Sequence, residues 1–312
     1  MGTQPRECKR SDIEHVRRFV AYAKSVVNET RYYPPAHGYR YMLALVLYSK
    51  CITVAEAILV LLDAGFGDEA FGMTRTLVDI FIALRYIANK DADERAKRYA
   101  EFAAKSSAVW NEVTELYWPH RVQILDEHTK RLAATYKSPH QWSGETAKTM
   151  ALEPDTVDVD PDTGEPANHS VAYSITYRWT SHNVHPPIGA LRKHMVQAAR
   201  DHFVVHSGRV QDMAHLVVFN TASGVASTMI SFYRCMGDPQ PQHLSDWAGA
   251  LMRHLARRHR GLGGVQKDSK GKTKVKPKSE QSDLWLKRPF LLTKGKIPRS
   301  GNGRCFLFPK GK

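Results

Sequence analysis

The stretch GYRYMLALVLYSKCITVAEAILVLLDA, residues 38–64, decides the fold of this 312-residue chain. Apolar residues occupy nearly every side of the helix that it would form, and it contains no proline. A helix that is apolar all round belongs in the interior of a protein, surrounded by other helices. Lys50 and Glu56 interrupt the run, which argues against a membrane-spanning helix. We therefore predict a central, buried helix.

Helical periodicity on both sides of this stretch predicts a bundle around it. Turns such as Gly65-Phe66-Gly67 are short, so neighbouring helices should run antiparallel. Ser11 and Asp68 are predicted N-caps. Residues 188–205 are predicted as a loop or short helix. We expect an all-α, antiparallel helical bundle over residues 11–258. The other predicted helices cover about 11–30, 69–89, 94–118, 121–136, 169–185, 209–236 and 243–258.

Residues 137–165 break the helical pattern. Turn-forming pairs of proline or glycine with serine, aspartate or glutamate recur along them. Their aspartates have the composition of a calcium loop, but the spacing does not match one. We predict an exposed, acidic loop inserted into the bundle domain.

The basic character of the chain is confined to its C-terminal part. The net charge is +14, and the segment from Arg253 onward has 18 Lys and Arg against three acidic residues. That segment alone carries +15, which leaves −1 for the rest. We predict that residues 259–312 form a basic, partly disordered tail, because residues 267–278 have no apolar face. Its field favours phosphate backbones, anionic membranes or acidic proteins. The candidate nucleic-acid-binding residues are Arg257, Arg258, Arg260, Lys270, Lys272, Lys274, Lys276 and Lys278.

The positions of the cysteines and the absence of common catalytic motifs limit the classes of function that the chain could have. The four cysteines are far apart, and Cys51 and Cys235 fall in apolar runs, so we expect buried free thiols. The N-terminal residues show no apolar signal core, which predicts a cytoplasmic protein. The chain has no glycine-rich phosphate loop, no HExxH and no GxSxG motif. We therefore predict no cofactor and no metal ligands.

The most distinctive polar stretch is YRWTSHNVHPP, residues 177–187. As a helix it places four polar side chains on one stripe, and the two prolines end it. A guanidinium can stabilise charge on phosphate oxygens, and an imidazole can transfer a proton at a ribose hydroxyl. Tyr177 can donate a hydrogen bond. The alternative is a polar helix end bonded to backbone or to Asp79. The four candidate catalytic residues are Arg178, Ser181, His182 and His185.

Two further pairs have a similar composition. Arg75 and Asp79 are four residues apart in an apolar frame, where they form either a buried structural bridge or part of a site. Arg200 and His206 have five residues between them, but no clear helical face joins them. Arg200 and His206 are therefore a weaker candidate than Arg178 and His185.

These residues resemble those of an uncharacterised bacterial all-helical family of unknown function. The resemblance covers about residues 41–236, with 137–165 as a variable part. The residues that carry it are Arg75, Asp79, Tyr86, Glu94, Arg95, Tyr99, Tyr177, Ser181, His185 and Pro186.

The chain also looks like the HEPN superfamily (higher eukaryote and prokaryote nucleotide-binding). Members are all-helical, are often dimeric, and frequently are metal-independent endoribonucleases with an Arg-x4–6-His motif. Arg178 and His185 fit, with six residues between them. The resemblance implies that Arg178 stabilises the phosphate and that His185 acts as general acid or base.

The same resemblance implies an RNA-cleaving or RNA-binding protein, a toxin or phage-defence effector that forms a homodimer and has no membrane partner. His182 and Ser181 would assist the chemistry. Arg75, Asp79 and Tyr177 would orient the catalytic residues without acting on the RNA themselves. The alternative is a non-enzymatic helical interaction module with a nucleic-acid-binding basic tail, in which the same polar groups form one buried network.

Overall fold

The computed structural model describes residues 10–30, 38–136, 142–155, 173, 177, 180, 195–199, 202–205, 213–237, 246–251 and 253–255. These residues form an all-α fold with one small hairpin, which confirms the predicted class. Residues 246–251 and 253–255 are also helical, and we call them the C-terminal helical segment. The helices are α1 (Arg10–Glu29), α2 (Tyr39–Asp63), α3 (Gly67–Asn89), α4 (Ala92–Tyr117), α5 (Glu127–Thr135), α6 (Ala147–Leu152) and α7 (Ala214–Met236), with a 3-10 turn at Pro119–Arg121.

The core lies where α2, α3 and α7 pack together, as the predicted central position of α2 requires. Each fully buried leucine, isoleucine or valine contributes about 1.5–3 kcal/mol relative to an exposed one. Helix α1 covers α2 from one side and also contacts α7. Completely buried residues from the three central helices include Ala44, Cys51, Ala55, Ile58, Leu77, Leu84, Ile87, Val217, Ala222 and Val225.

Helices α3 and α7 approach closely at Gly224. A Cβ added at Gly224 would lie 3.1 Å from the Cβ of Leu77, which is tighter than ordinary contact. The missing side chain therefore sets the spacing of these two helices. Elsewhere in the core, the ring of Tyr48 on α2 stacks on that of Phe232 on α7, with centroids 4.6 Å apart.

Several helix ends differ from the sequence-based prediction. Asp68 lies inside the first turn of α3, because Phe66 occupies the N-cap position. Ser11 is likewise not an N-cap, because α1 already includes Arg10. Helix α5 begins after Asp126, whose carboxylate accepts a hydrogen bond from the backbone N–H of Thr129 at 2.7 Å. For α1 and α3, the predicted capping residues thus identified the neighbourhood of the helix start but not its first residue.

The prediction of an exposed loop over 137–165 is wrong for residues 142–155. They include helix α6, which packs against α3, and Met150 and Ala151 on it are buried. Trp142 is also buried, with its ring centroid 4.8 Å from that of Tyr99 and 5.7 Å from that of Tyr86. The turn-forming residues indicated a break in the helical pattern, but the burial of this segment comes from partners far away in the sequence.

A second correction concerns residues 188–205. Met195–Ala199 (β1) and His202–Val205 (β2) form an antiparallel hairpin in place of a loop or short helix. Met195 pairs with Val205, and the register shifts between Gln197 and Ala199. The strands are too short to give a clear alternating pattern in the sequence.

Asp155 is a buried carboxylate between two arginines from different helices. The Nε of Arg85 on α3 lies 3.3 Å from Oδ2, and Nη1 of Arg234 on α7 donates to both carboxylate oxygens, at 3.1 and 2.9 Å. Arg85 also donates to the backbone carbonyls of Met150 and Glu153, at 3.4 and 2.7 Å. Burial lowers the pKa of Arg85, and the charge of Asp155 opposes that change. The Arg85 side chain is only 2% exposed, so this ion pair lies inside the protein.

Glu153 extends the same network to α4. Arg95 donates from both terminal nitrogens to the two carboxylate oxygens of Glu153, at 2.8 and 3.0 Å. Asn89 donates to Glu153 at 2.5 Å and to the Pro154 carbonyl at 2.9 Å. Burial acts to raise the pKa of Glu153, but the hydrogen bonds from Arg95 and Asn89 hold it below its usual value. We call Arg85, Asn89, Arg95, Glu153, Asp155 and Arg234 the arginine network.

Two helices, α2 and α7, are long and apolar enough to cross a membrane by length and composition alone. Half or more of the most apolar window of each is buried among the other helices. Cys51 on α2 and Cys235 on α7 are buried free thiols, as predicted, and burial raises the pKa of each to about 12. Both are therefore unreactive in the native state.

We predict that Asp155→Ala lowers the free energy of unfolding by about 3–5 kcal/mol, because Arg85 and Arg234 would keep buried charges without their carboxylate. Urea unfolding followed by circular dichroism measures this. Asp63→Ala is the control, because its bridge to Arg17 is exposed and should contribute less than about 1 kcal/mol. Equal losses in the two variants would contradict the structural role of the network.

Candidate active site

Arg75 and Asp79 lie one helical turn apart on α3, at the edge of the core. The Nε of Arg75 is 3.9 Å from Oδ2 of Asp79, so they form a loose ion pair. Their side chains are 25% and 48% exposed. The pair is therefore not the buried bridge that the apolar frame allowed, and its polar atoms can meet solvent or a ligand.

Tyr177 joins this pair across 102 residues of sequence. Nη2 of Arg75 donates to the Tyr177 hydroxyl at 3.1 Å, and the guanidinium carbon lies 4.8 Å from the centroid of the tyrosine ring. The ring of Tyr173 stacks on that of Tyr177, with centroids 4.8 Å apart and planes 18° apart. Thr180 donates from its hydroxyl to the Tyr177 carbonyl at 3.1 Å. The cation and the two rings thus form one stack, and we call Arg75, Asp79, Tyr173 and Tyr177 the Arg75 cluster.

The pKa of the Asp79 carboxyl is raised above its ordinary value. Burial raises its pKa from 3.8 to about 6, and the nearby charge of Arg75 moderates that rise. Burial also raises the pKa of Tyr99, and the charge of Asp79 adds to this effect. A carboxyl with a pKa near 6 can both accept and release a proton under physiological conditions, as general acid–base chemistry requires.

The raised pKa of Asp79 also has a consequence for stability. The folded state holds the proton more tightly than the unfolded chain, so stability falls as the pH rises from about 4 to about 6. Solvent screens a side chain that is nearly half exposed, which limits the effect to about 1 kcal/mol or less. A group that weakens the fold at neutral pH is more easily explained by function than by packing.

The structure brings together part of the predicted site. Arg75 contacts both Asp79 and Tyr177, the three residues that were predicted to orient the site; that role stays a prediction. The weaker pair, Arg200 and His206, lies outside the described residues. So do the catalytic candidates Arg178, Ser181, His182 and His185, and the tail residues Arg257, Arg258, Arg260, Lys270, Lys272, Lys274, Lys276 and Lys278.

Sequence reasoning missed one participant in this region, Tyr173. It precedes Tyr177 by four residues, a helical spacing that could have identified their stacking. Asp79 was predicted, but only to orient other groups, because its raised pKa depends on burial that the sequence does not show. A second omission is a group of three potential metal ligands in the described part of the chain, Asp12, His15 and His254. No sequence motif identifies them as metal ligands, because His254 is separated from Asp12 and His15 by most of the chain.

A cavity of about 620 Å³ opens elsewhere, beside α1 and the turn between α2 and α3. Charged side chains from α1 and α2 line it, and Arg17 bridges to Asp63 there at 2.5 Å. None of the Arg75 cluster belongs to its lining. The candidate site is therefore distinct from this cavity.

Comparison with known proteins gives one match. Residues 41–203 match the model of a family of unknown function, DUF5677. This agrees with the resemblance to an uncharacterised helical family, while likeness to the HEPN superfamily stays a prediction. No curated protein and no solved structure matches the chain.

We predict that Arg75→Ala raises the pKa of Asp79 above about 6, because the substitution removes the cation that stabilises the carboxylate. Carboxyl-carbon NMR of the protein labelled at aspartate follows the titration directly. Arg75→Lys serves as the control, because it keeps the charge. A wild-type midpoint near the ordinary 3.8, or a midpoint unchanged in Arg75→Ala, would contradict the described geometry.

Proposed function

We propose, for a chain that belongs to the DUF5677 family of unknown function, the activity of a HEPN-like protein that binds and cleaves RNA without a metal. The Arg75 cluster is the observation that supports this proposal. It combines a cation, two stacked aromatic rings and a carboxyl that titrates near pH 6 on a partly exposed surface. It also includes Tyr177, which directly precedes Arg178 in the chain.

The contact between Arg75 and Tyr177 supports this proposal, because Arg178 directly follows Tyr177 in the chain. Tyr177 itself is held by a hydrogen bond and a ring contact from Arg75 on α3. Restraint of this kind matters because catalytic groups must be held near their productive positions. Arg75, Asp79 and Tyr177 would then be positioning residues.

In the proposed reaction, the guanidinium of Arg178 stabilises negative charge on the phosphate oxygens. His185 removes the proton of the ribose 2′-hydroxyl or supplies one to the leaving 5′-oxygen. His182 and Ser181 would assist by hydrogen bonding. The products would be a cyclic phosphate and a free 5′-hydroxyl. The reaction needs no external nucleophile, because the ribose 2′-oxygen attacks the phosphorus and the 5′-oxygen leaves.

The positive charge of the C-terminal part of the chain also favours a polyanion such as RNA. The segment from Arg253 onward carries +15, so it would add salt-dependent affinity for phosphates that is independent of sequence. A toxin or phage-defence effector is the biological role that such an activity would suit. Cytoplasmic location belongs to the same proposal.

We predict that the full-length protein cleaves RNA in the presence of a chelator, and that Arg178→Ala and His185→Ala each slow cleavage by about 100-fold or more. Labelled RNAs of several sequences, incubated with each variant and resolved by gel electrophoresis, measure this. Tyr177→Phe keeps the ring but loses the hydroxyl, and should reduce cleavage less.

His120→Ala is the matched control, because His120 is an exposed histidine in the 3-10 turn. Circular dichroism checks that every variant is folded. A folded wild type that cleaves none of the RNAs, or a His185→Ala variant as active as His120→Ala, would overturn the proposal. Loss of the fold in His185→Ala would assign that histidine to structure instead.

An interaction module remains a second candidate, because one surface of the protein is unusually apolar. Large apolar side chains follow one another along residues 110–124, at the end of α4 and beyond it, and Leu116 and Ile124 are 78% and 99% exposed. Exposed apolar surface of this extent commonly marks an interface. We call it the α4-end surface, and it consists of Trp110, Val113, Leu116, Tyr117, Trp118, Val122 and Ile124.

For this second candidate we predict a homodimer that Leu116→Glu converts to a monomer, because a charge cannot be buried in an apolar interface without a large penalty. Light scattering coupled to size-exclusion chromatography measures the mass. Val46→Glu is the control, since Val46 is an exposed apolar residue on a different helix. A monomeric wild type, or a dimer that survives in Leu116→Glu, would exclude dimerisation through this surface.

A further inference from the structure

Three potential metal ligands meet where the N-terminal helix touches the C-terminal helical segment. Asp12 and His15 are three residues apart on α1, so their side chains lie on one face. His254 comes from the C-terminal helical segment. Trp247 of the same segment packs against Phe19 of α1, with ring centroids 4.7 Å apart, so the two elements are in direct contact.

The ligand atoms are already close to one another. Nε2 of His254 lies 3.4 Å from Oδ1 of Asp12. The rings of His15 and His254 meet edge to face, with centroids 5.6 Å apart. One nitrogen from each histidine and one oxygen of Asp12 all lie within 4.8 Å of one another. Asp12 is buried and the two histidines are partly buried, so the group is sheltered from solvent.

These separations suit a tetrahedral zinc ion. With zinc bonds of about 2.0–2.2 Å to nitrogen and oxygen, two tetrahedral ligand atoms lie about 3.3–3.6 Å apart. The distance between Asp12 and His254 already meets this value. The longest separation would have to close by no more than about 1.5 Å, which small side-chain rotations can supply.

We propose that Asp12, His15 and His254 bind a divalent transition metal, with Zn²⁺ the best fit, and that the ion joins α1 to the C-terminal helical segment. Two imidazoles and one carboxylate are typical zinc ligands, whereas Ca²⁺ and Mg²⁺ require mainly oxygen. Three protein ligands leave a fourth position for water or a further donor. The ion would join positions 242 residues apart, so its binding is coupled to folding.

This inference does not depend on the proposed RNA cleavage. The three ligands lie on α1 and the C-terminal helical segment, whereas the Arg75 cluster involves α3. A zinc ion here would hold the two elements together and take no part in phosphate chemistry. Its test is therefore a measurement of binding and not of activity.

The test uses the full-length protein, treated with chelator and then dialysed against buffered Zn²⁺, with bound metal measured by mass spectrometry. We expect one equivalent per wild-type chain at low zinc concentration. His15→Ala and His254→Ala should each weaken binding by at least about 10-fold, since losing a direct ligand should weaken binding no less than losing a residue that supports one. Co²⁺ in place of Zn²⁺ should give the visible absorption of a tetrahedral site in the wild type but not in His15→Ala or His254→Ala.

His120→Ala and His128→Ala are the matched controls, because both histidines are exposed and lie far along the chain from the site. They should keep the full equivalent. A wild type that binds no zinc would overturn the proposal, as would equal binding by the ligand and control variants. Asp12→Asn preserves the size of the side chain. If the histidine variants fail to fold, undiminished binding by Asp12→Asn would overturn the proposal and weakened binding would support it.

Discussion

The buried carboxylate of Asp155, held between Arg85 and Arg234, is the constraint on which the arrangement of the central helices depends. Removing charged groups from water is costly, and these groups are tolerated inside because each meets an opposite charge or a backbone carbonyl at hydrogen-bonding distance. The same carboxylate belongs to residues 142–155, which also bury Trp142, Met150 and Ala151 in the core. Helix α6 has six residues, which is too short to be stable alone. The arginine network therefore fixes residues 142–155 against α3, α4 and α7.

Helix α3 connects this network to the candidate site. Arg85 lies about 15 Å along the helix from Arg75, at 1.5 Å per residue. The two arginines have opposite environments: Arg85 is buried and its contacts are structural, whereas Arg75 is partly exposed and contacts Tyr177. A helix anchored near its C-terminal end by buried ion pairs is a suitable support for a site near its middle. At that site, burial raises the pKa of Asp79 to about 6, and the charge of Arg75 opposes the rise.

The folded unit extends beyond the part that matches the family. The match ends at residue 203, yet α7 lies after that point and supplies the closest packing against α3 and one of the two arginines on Asp155. Helix α1 precedes the match and covers α2. A protein cut to residues 41–203 would therefore lose part of its core. The elements outside the match also supply all three ligands of the proposed metal site.

The sequence by itself determined the all-α class, the central position of α2, the approximate extent of α3, α4 and α7, and the buried state of Cys51 and Cys235. These features follow from hydrophobic periodicity and local breakers, which act over a few residues. It also singled out Arg75 and Asp79 as a pair, because their spacing is helical.

Only the tertiary structure decided which charges are buried and which are exposed. The sequence placed Asp155 in a predicted exposed, acidic loop, although in the structure it contacts Arg85 and Arg234 in the interior. The sequence allowed the Arg75–Asp79 pair to be a buried bridge, although the structure shows that the pair is partly exposed. The group of Asp12, His15 and His254 had no signature in the sequence. In each case the deciding partner lies 70 residues or more away in the chain or depends on how helices pack, and local sequence patterns do not encode such contacts.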